Sequence, residues 1–373
     1  MGLLRFLLAL SVLIGHVHGL PGLMLNDRTP YLLHGDAAVQ SFYVISGFYM
    51  ALVLDRVYAG SARNPLSFWL SRYLRLAPLY ILISVVTAAT QFVTTGKVGL
   101  YSAGGVFDGA IALLSNLTML GQDVYLFFGY DTKSQVFLFL PDILRGGLER
   151  AGEQVAPGWA WLMIGQGWSI GVELWFYMLA PFILTRHIGL IIAVLAASLA
   201  LRIGLVLGFG LRFDPWTYRF FPSELMVFLL GSLAYRLYAS GWVDTLMARV
   251  RWPVFLGMVA VTLAYSVIPI GGFELRWIYL GAMAIALPSV FSLTKNWRLD
   301  RWIGDLSYPI YLWHVLVLIW VHAVGPLRGY ACLVVTLALS ALSLWLIDRP
   351  MDRIRHRLAA IRARRPELAA AQG

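Results

Sequence analysis

The chain has 373 residues, 60% of them hydrophobic and 13% charged, with a mean hydropathy of +0.74. A soluble domain carries about 25% charged residues, so the composition excludes an ordinary soluble globule and points to one integral, polytopic membrane domain. The net charge of +10 falls between apolar runs, where basic residues set orientation rather than mark a nucleic-acid surface, and the single cysteine, Cys332, excludes an intrachain disulfide or a cysteine metal site.

About ten runs reach the roughly 20 residues that a membrane helix needs. They lie near 3–20, 36–55, 74–95, 167–185, 188–208, 220–238, 252–270, 276–294, 303–324 and 328–347. The first contains Arg5 and, eleven residues later, His16. Eleven steps of about 100° return to nearly the same helix face, roughly 16 Å further along the axis. The segment around His16 and His18 has no small-x-small cleavage site, so this run is expected to be an uncleaved helix. A charged Arg inside a membrane helix costs about 2.5–3.5 kcal/mol on insertion scales. The plainer role for His16 is a hydrogen bond to a neighbouring helix. The chemical one is a general base, because an imidazole titrates near neutral pH.

In the second run Asp36 and Gln40 precede Phe42-Tyr43-Val44-Ile45-Ser46-Gly47-Phe48, where Ser46 and Gly47 are small enough for close helix approach. The loop into the third run carries Arg72 and Arg75, spaced i, i+3 and so on one face. They read as topology-setting cations or, because guanidinium groups donate paired hydrogen bonds, as a phosphate grip. Residues 96–166 form one large extracytoplasmic segment with Tyr125, Phe127, Phe128 and Tyr130. Inside it, 105–121 is too short and polar for a plain span and reads as an interfacial or re-entrant helix. The run at 167–185 opens with Trp168, an interfacial anchor by type, and places Ser169, Glu173 and Tyr177 on one face. Glu173 has no basic partner in its own helix, which calls for a partner elsewhere or a proton-handling role. Ser307, Tyr311 and His314 share a face of the ninth run. No metal site is expected: His16 and His18, at i, i+2, point apart, and no acidic ligand lies near His314 and His322 in sequence.

These motifs, taken in order, resemble those of the acyltransferase family 3 membrane proteins, bacterial O-acyltransferases of surface or secreted glycans. The family's Arg-x10-His pattern is Arg5…His16. Its Phe-Phe-x-x-Ser-Gly-Phe signature is Phe42 to Phe48, its Arg-x-x-Arg pattern is Arg72…Arg75 before Pro78, its Trp-Ser-x-x-x-Glu pattern is Trp168-Ser169…Glu173, and its Leu-Ser-Tyr-x-x-Tyr-Leu-x-His pattern is Leu306 to His314. Gln40 departs from the acidic residue that members often carry there. Many relatives also have a fused extracytoplasmic domain, so acceptor docking here is expected from 96–166 or another protein.

The resemblance implies an all-α membrane bundle of about ten transmembrane helices. It would comprise an acyltransferase domain at 1–348 and a basic, partly disordered cytoplasmic tail at 349–373, in the bacterial inner membrane with both termini cytoplasmic. It implies acyl transfer, usually of acetyl, from acyl-CoA to a carbohydrate hydroxyl, with no permanently bound cofactor. In that picture Arg5, Arg72 and Arg75 hold the CoA phosphates. His16 acts as base or transient acyl carrier, and Glu173 orients it. Asp36, Gln40, Ser46, Trp168, Ser169, Tyr177, Tyr311 and His314 form a substrate or structural seam. Partners would be acyl-CoA, a carbohydrate acceptor, the bilayer and glycan-assembly proteins, and no nucleic acid. The competing reading from the residues alone is a transporter of a sugar or lipid-linked intermediate, since transporters also carry polar midplane residues.

Overall fold

The computed structural model describes residues 1–17, 32–58, 65–102, 104–241 and 249–354. His18 and positions 355–373 of the expected tail lie outside the described residues. The helices are α1 (Gly2–His16), α2 (Gly35–Arg56), α3 (Leu66–Thr95), α4 (Val106–Thr118), α5 (Gly147–Ala151), α6 (Trp168–Ile183), α7 (Ile188–Gly208), α8 (Phe221–Ala239), α9 (Arg251–Leu263), α10 (Gly272–Thr294), α11 (Arg298–Asp305), α12 (Ser307–Trp320) and α13 (Arg328–Ser343).

A helix occupies each of the ten apolar windows, but the windows are not all of spanning length. Six helical segments among the described residues are long and apolar enough to cross a membrane: Gly35–Arg56, Leu66–Thr95, Ile188–Gly208, Glu274–Thr294, Arg298–Trp320 and Arg328–Ile354. Helices α1 and α9 are apolar but shorter, because the helix at 252–270 stops at Leu263 and the first at His16. Helix α3 begins at Leu66, so Arg72 and Arg75 sit within it rather than in a loop. The sequence has no breaker between Pro65 and Pro78, and Pro78 is accommodated inside the helix.

The segment 96–166 is an ordered unit, not a loose loop. A three-stranded antiparallel sheet has the order β2 (Val136–Phe139), β1 (Phe128–Asp131), β3 (Val155–Pro157), with Phe128 opposite Phe139 and Gly129 opposite Pro157. Buried Trp161 meets the rings of Tyr101 and Tyr130 at 5.1 and 5.2 Å. Asn116 in α4 ties the unit together: its Nδ2 donates to the carbonyls of Ala112 and Trp161 and to the Tyr101 hydroxyl, and its Oδ1 accepts from Met163 N. Tyr125, Phe127 and Tyr130 are buried in this packing, so they are core rather than a platform for a ligand. Helix α4 spans 13 residues, about 20 Å at 1.5 Å per residue, well short of a bilayer core. Its Val106 and Phe107 stay 93% and 75% exposed.

The tightest helix pair is α2 against α8. A Cβ on Gly47 would lie 1.8 Å from the Phe228 carbonyl oxygen, and one on Gly231 would lie 1.8 Å from that of Val44. The two glycines let the backbones touch, which fixes Ser46, the neighbour of Gly47, against α6. Gly231→Val is therefore expected to lose most folded protein, since overpacking costs about 1–3 kcal/mol or more. Gly257→Val, in α9 with open space around it, serves as the control. Size-exclusion profiles of the solubilised variants check this, and a monodisperse Gly231→Val would contradict it.

Helix α1 is seated by α11. The Asp300 carboxylate accepts from the backbone N–H of Gly2 at 2.7 Å and of Leu3 at 2.8 Å. It thereby satisfies donors that a helix start leaves unpaired and places an anion at the positive end of the helix dipole. Arg5 Nη2 donates to Ser307 Oγ at 3.0 Å. The first helix is thus fixed in height and rotation, which determines where Arg5 and His16 face.

Candidate active site

A cavity of about 410 Å³ opens between α1, α2, α3, α6, α10, α11 and α12. Among the residues singled out in the sequence, Arg5, Ser46, Arg72, Arg75, Ser169, Glu173, Tyr177, Ser307 and Tyr311 line it. At the end near Met1 the wall also carries Lys295, Arg301, Asp300 and Asp305. Five cationic side chains therefore face three carboxylates, and one of these, Asp300, is committed to the α1 terminus. The surplus is positive, and guanidinium groups are the side chains best matched to phosphate oxygens.

Glu173 projects into this cavity. Ser46 Oγ donates to its Oε1 at 2.6 Å and Tyr177 OH donates to the same oxygen at 2.5 Å. The spacing of Ser169, Glu173 and Tyr177 on one α6 face thus holds. The expected alliance of Glu173 with His16 does not: the carboxylate is held by α2 and its own helix, among the arginines. Ser46, read from sequence as a packing residue, turns out to be a hydrogen-bond donor at the site.

Ser169 and Tyr311 face each other in the lining, with their hydroxyls 2.6 Å apart. Gln166 Nε2 fastens this corner by donating to the carbonyls of Tyr311 and Leu312 at 3.2 and 3.0 Å. Behind Tyr311 stand two imidazoles. The His314 ring lies 5.8 Å from the Tyr311 ring and 5.1 Å from that of His16. Neither histidine lines the cavity itself; Tyr311, which does, is the lining residue whose ring meets that of His314. His314 is 1% exposed, whereas His16, at the C-terminal end of α1, is exposed. His16 Nδ1 lies 2.8 Å from the Val12 carbonyl, and His314 Nδ1 lies 2.7 Å from the Tyr311 carbonyl. A carbonyl only accepts, so each Nδ1 carries the hydrogen and each Nε2 keeps its lone pair. That is the tautomer a base requires.

Asp36, Gln40 and Trp168 fall outside the cavity lining. Trp168 is 6% exposed, stacked edge-on against Tyr218 at 5.1 Å with the Arg219 guanidinium 4.2 Å over its ring, so it is a buried contact and not a lipid-facing anchor. Asp36 accepts from Arg276 Nη1 at 2.6 Å. Gln40 Nε2 donates to both oxygens of Glu224 at 3.1 and 2.9 Å, and Glu224 Oε1 accepts from Arg202 Nη2 at 2.8 Å. A carboxylate is therefore present beside position 40, supplied by α8. Sequence reading passed over Glu224 and Arg202, although an ionisable residue in each of two apolar runs was signal enough. Removing one partner of such a buried pair costs about 3–5 kcal/mol, whereas replacing both is often neutral. Glu224→Leu should therefore collapse the thermal transition of the solubilised protein, and Arg202→Leu with Glu224→Leu should restore much of it. A double variant no more stable than the single would refute that coupling.

The family model described as an acyltransferase domain matches residues 1–347. The chain belongs to this family. Nodulation protein 10 of Rhizobium leguminosarum bv. viciae is 26% identical over 352 residues, covering 89% of this chain and 86% of its own. The exopolysaccharide production protein ExoZ of Rhizobium meliloti (strain 1021) is 24% identical over 337 residues, covering 86% and 90%. A Staphylococcus aureus (strain COL) protein named for O-acetyl transfer is 24% identical over 352 residues, with 86% of this chain matched to 50% of that one; the chain spans about half the length of that relative. No solved structure matches. The acyltransferase is a membrane protein of apolar helices, and its chemistry is O-acyl transfer. Family membership decides against a transporter without acyl-transfer chemistry.

Proposed function

We propose that this acyltransferase moves an acetyl group from cytoplasmic acetyl-CoA to a hydroxyl of an extracytoplasmic or membrane-associated carbohydrate, in the bacterial inner membrane with both termini cytoplasmic. The observation that carries the reading is the polarity of the cavity. Its lining gathers Arg5, Arg72, Arg75, Lys295 and Arg301 together with Ser169 and Tyr311, and the Tyr311 ring stands 5.8 Å from that of His314, itself 5.1 Å from His16.

In this reading Arg72 and Arg75 on α3 and Arg5 on α1 hold the nucleotide phosphates of the donor, and the pantetheine arm runs toward Tyr311. Arg5 and His16 are eleven residues apart on one unbroken helix, about 16 Å in rise, a span that such an arm covers. His16 takes the proton of the acceptor hydroxyl on Nε2. The hydroxyl oxygen attacks the thioester carbon, the C–S bond breaks, and the CoA thiolate takes up the proton from His16. Glu173, held by Ser46 and Tyr177, offsets part of the positive charge within the cavity. The carbohydrate acceptor is supported by the exopolysaccharide role in the name of the rhizobial relative and by the glycan acceptors that the motif resemblance implies.

The test is direct. Purified protein supplied with acetyl-CoA and an oligosaccharide repeat unit should release free CoA thiol in step with O-acetylation of the sugar. Absence of both, with acetyl-CoA bound, would sink the reading.

A further inference from the structure

The proposed base is held on Nδ1 by the Val12 carbonyl of its own helix, a neutral acceptor in place of the carboxylate that commonly stabilises a cationic base. A base that becomes cationic is commonly held and stabilised by an acceptor group, and the carboxylate expected for that task, Glu173, is engaged by Ser46 and Tyr177. What stands beside the His16 ring is the imidazole of His314, at 5.1 Å between ring centres and tilted by 53°. His314 is 1% exposed, and its Nε2 is a buried atom with no hydrogen-bond partner among the described residues. An orphaned buried acceptor costs about 1–3 kcal/mol, and nearly all such atoms in proteins are paired. A leucine of similar size would fill the space without that cost. The Nδ1 of His314 is held by the Tyr311 carbonyl at 2.7 Å, so the ring is fixed in the tautomer that leaves this lone pair vacant.

Resting on the assignment of His16 as the base, we propose that His314 is its positioning residue. Its bare Nε2 accepts the N–H that appears on His16 Nε2 when the acceptor hydroxyl is deprotonated. The step balances: the hydroxyl proton passes to His16 Nε2, the new N–H donates to His314 Nε2, and the hydroxyl oxygen bonds to the thioester carbon as the C–S bond breaks. The thiolate then takes up the proton from His16 Nε2, which returns His16 to its neutral form and leaves the His314 nitrogen vacant again. The small ring displacement that brings the two nitrogens together belongs to α1 and α12, which pack directly on each other. Tyr311 would couple the pair to the donor, since the same residue lines the cavity and anchors His314. The orphaned nitrogen is thus an acceptor kept vacant for a hydrogen that is present only while His16 is cationic, so its contribution falls on the chemical step after proton transfer and not on binding.

The experiment compares His314→Leu and His314→Gln with the wild type and with His16→Ala, each as the full chain at matched abundance. His314→Gln keeps an amide oxygen near the position of Nε2. The expected result is a kcat about tenfold or more below wild type for His314→Leu, a partial recovery for His314→Gln, and unchanged KM for both donor and acceptor. Wild-type kcat in His314→Leu while His16→Ala is inactive overturns the inference alone. Activity retained in His16→Ala overturns the underlying base assignment instead. Equal losses in the two His314 variants, or a loss shared by acetyl-CoA affinity, would assign His314 to packing and also overturn the proposal.

Discussion

His16→Ala should lower acetyl transfer by about 10²–10⁴-fold, the usual contribution of a general base, while membrane abundance and acetyl-CoA affinity stay at the wild-type level. The separation of the two effects follows from the geometry. The cavity that would hold the donor is walled by seven helices, and His16 contributes nothing to that wall. The imidazole sits at the exposed end of α1 with its Nδ1 engaged by the Val12 carbonyl, so truncation removes a lone pair and leaves no buried polar atom stranded beneath it. A structural histidine would behave in the opposite way, with abundance falling and specific activity persisting. Acylation assayed on membranes normalised for protein distinguishes the two, and near-wild-type transfer would remove His16 from the chemistry.

The second large effect is expected on donor binding. Arg72→Ala combined with Arg75→Ala should weaken acetyl-CoA binding by tenfold or more, because each hydrogen bond to a charged group contributes about 1.5–3 kcal/mol. Both residues lie within α3 on the cavity wall, so the loss is local to the part of the wall that α3 supplies. Acetyl-pantetheine, which has the thioester arm without the nucleotide phosphates, supplies the internal comparison. Its binding should change little in the double variant. Calorimetry with both ligands reads this, and an unaltered acetyl-CoA affinity would withdraw the phosphate role from the pair.

Much of the site is legible in the chain because membrane helices make spacing informative. Ser169, Glu173 and Tyr177 share a face by count and share a cavity in fact, and Arg5 is directed into that cavity from a continuous α1. What spacing does not supply is the identity of partners across helices. Glu173 is claimed by Ser46, a contact between α2 and α6 that depends on how closely α2 can approach its neighbours. The glycine at 47 announces that approach without saying what it brings together. Gln40 looked like a lost carboxylate, and Glu224 restores one from 184 positions away. The pairing of His16 with His314 likewise depends on the seating of α1 by Asp300 in α11. Helix length was overread for a related reason. Apolar windows at 3–20 and 252–270 include residues beyond the ends of their helices, and hydropathy alone does not register where a helix stops. The aromatics at 125–130 carry no sign in the sequence of their partners, Phe137 and Trp161, which come from a sheet and a turn that no periodicity reveals.

In the proposed reaction, donor and acceptor approach from opposite sides of the membrane. Proteoliposomes with the protein in a single orientation, loaded with acetyl-CoA on one side and a carbohydrate acceptor on the other, test it most directly. Acetylation should occur when acetyl-CoA is on the side of Lys295 and Arg301 and the acceptor on the side of His16, and it should fail when the two are exchanged. Transfer only when both substrates share one side would contradict the claim.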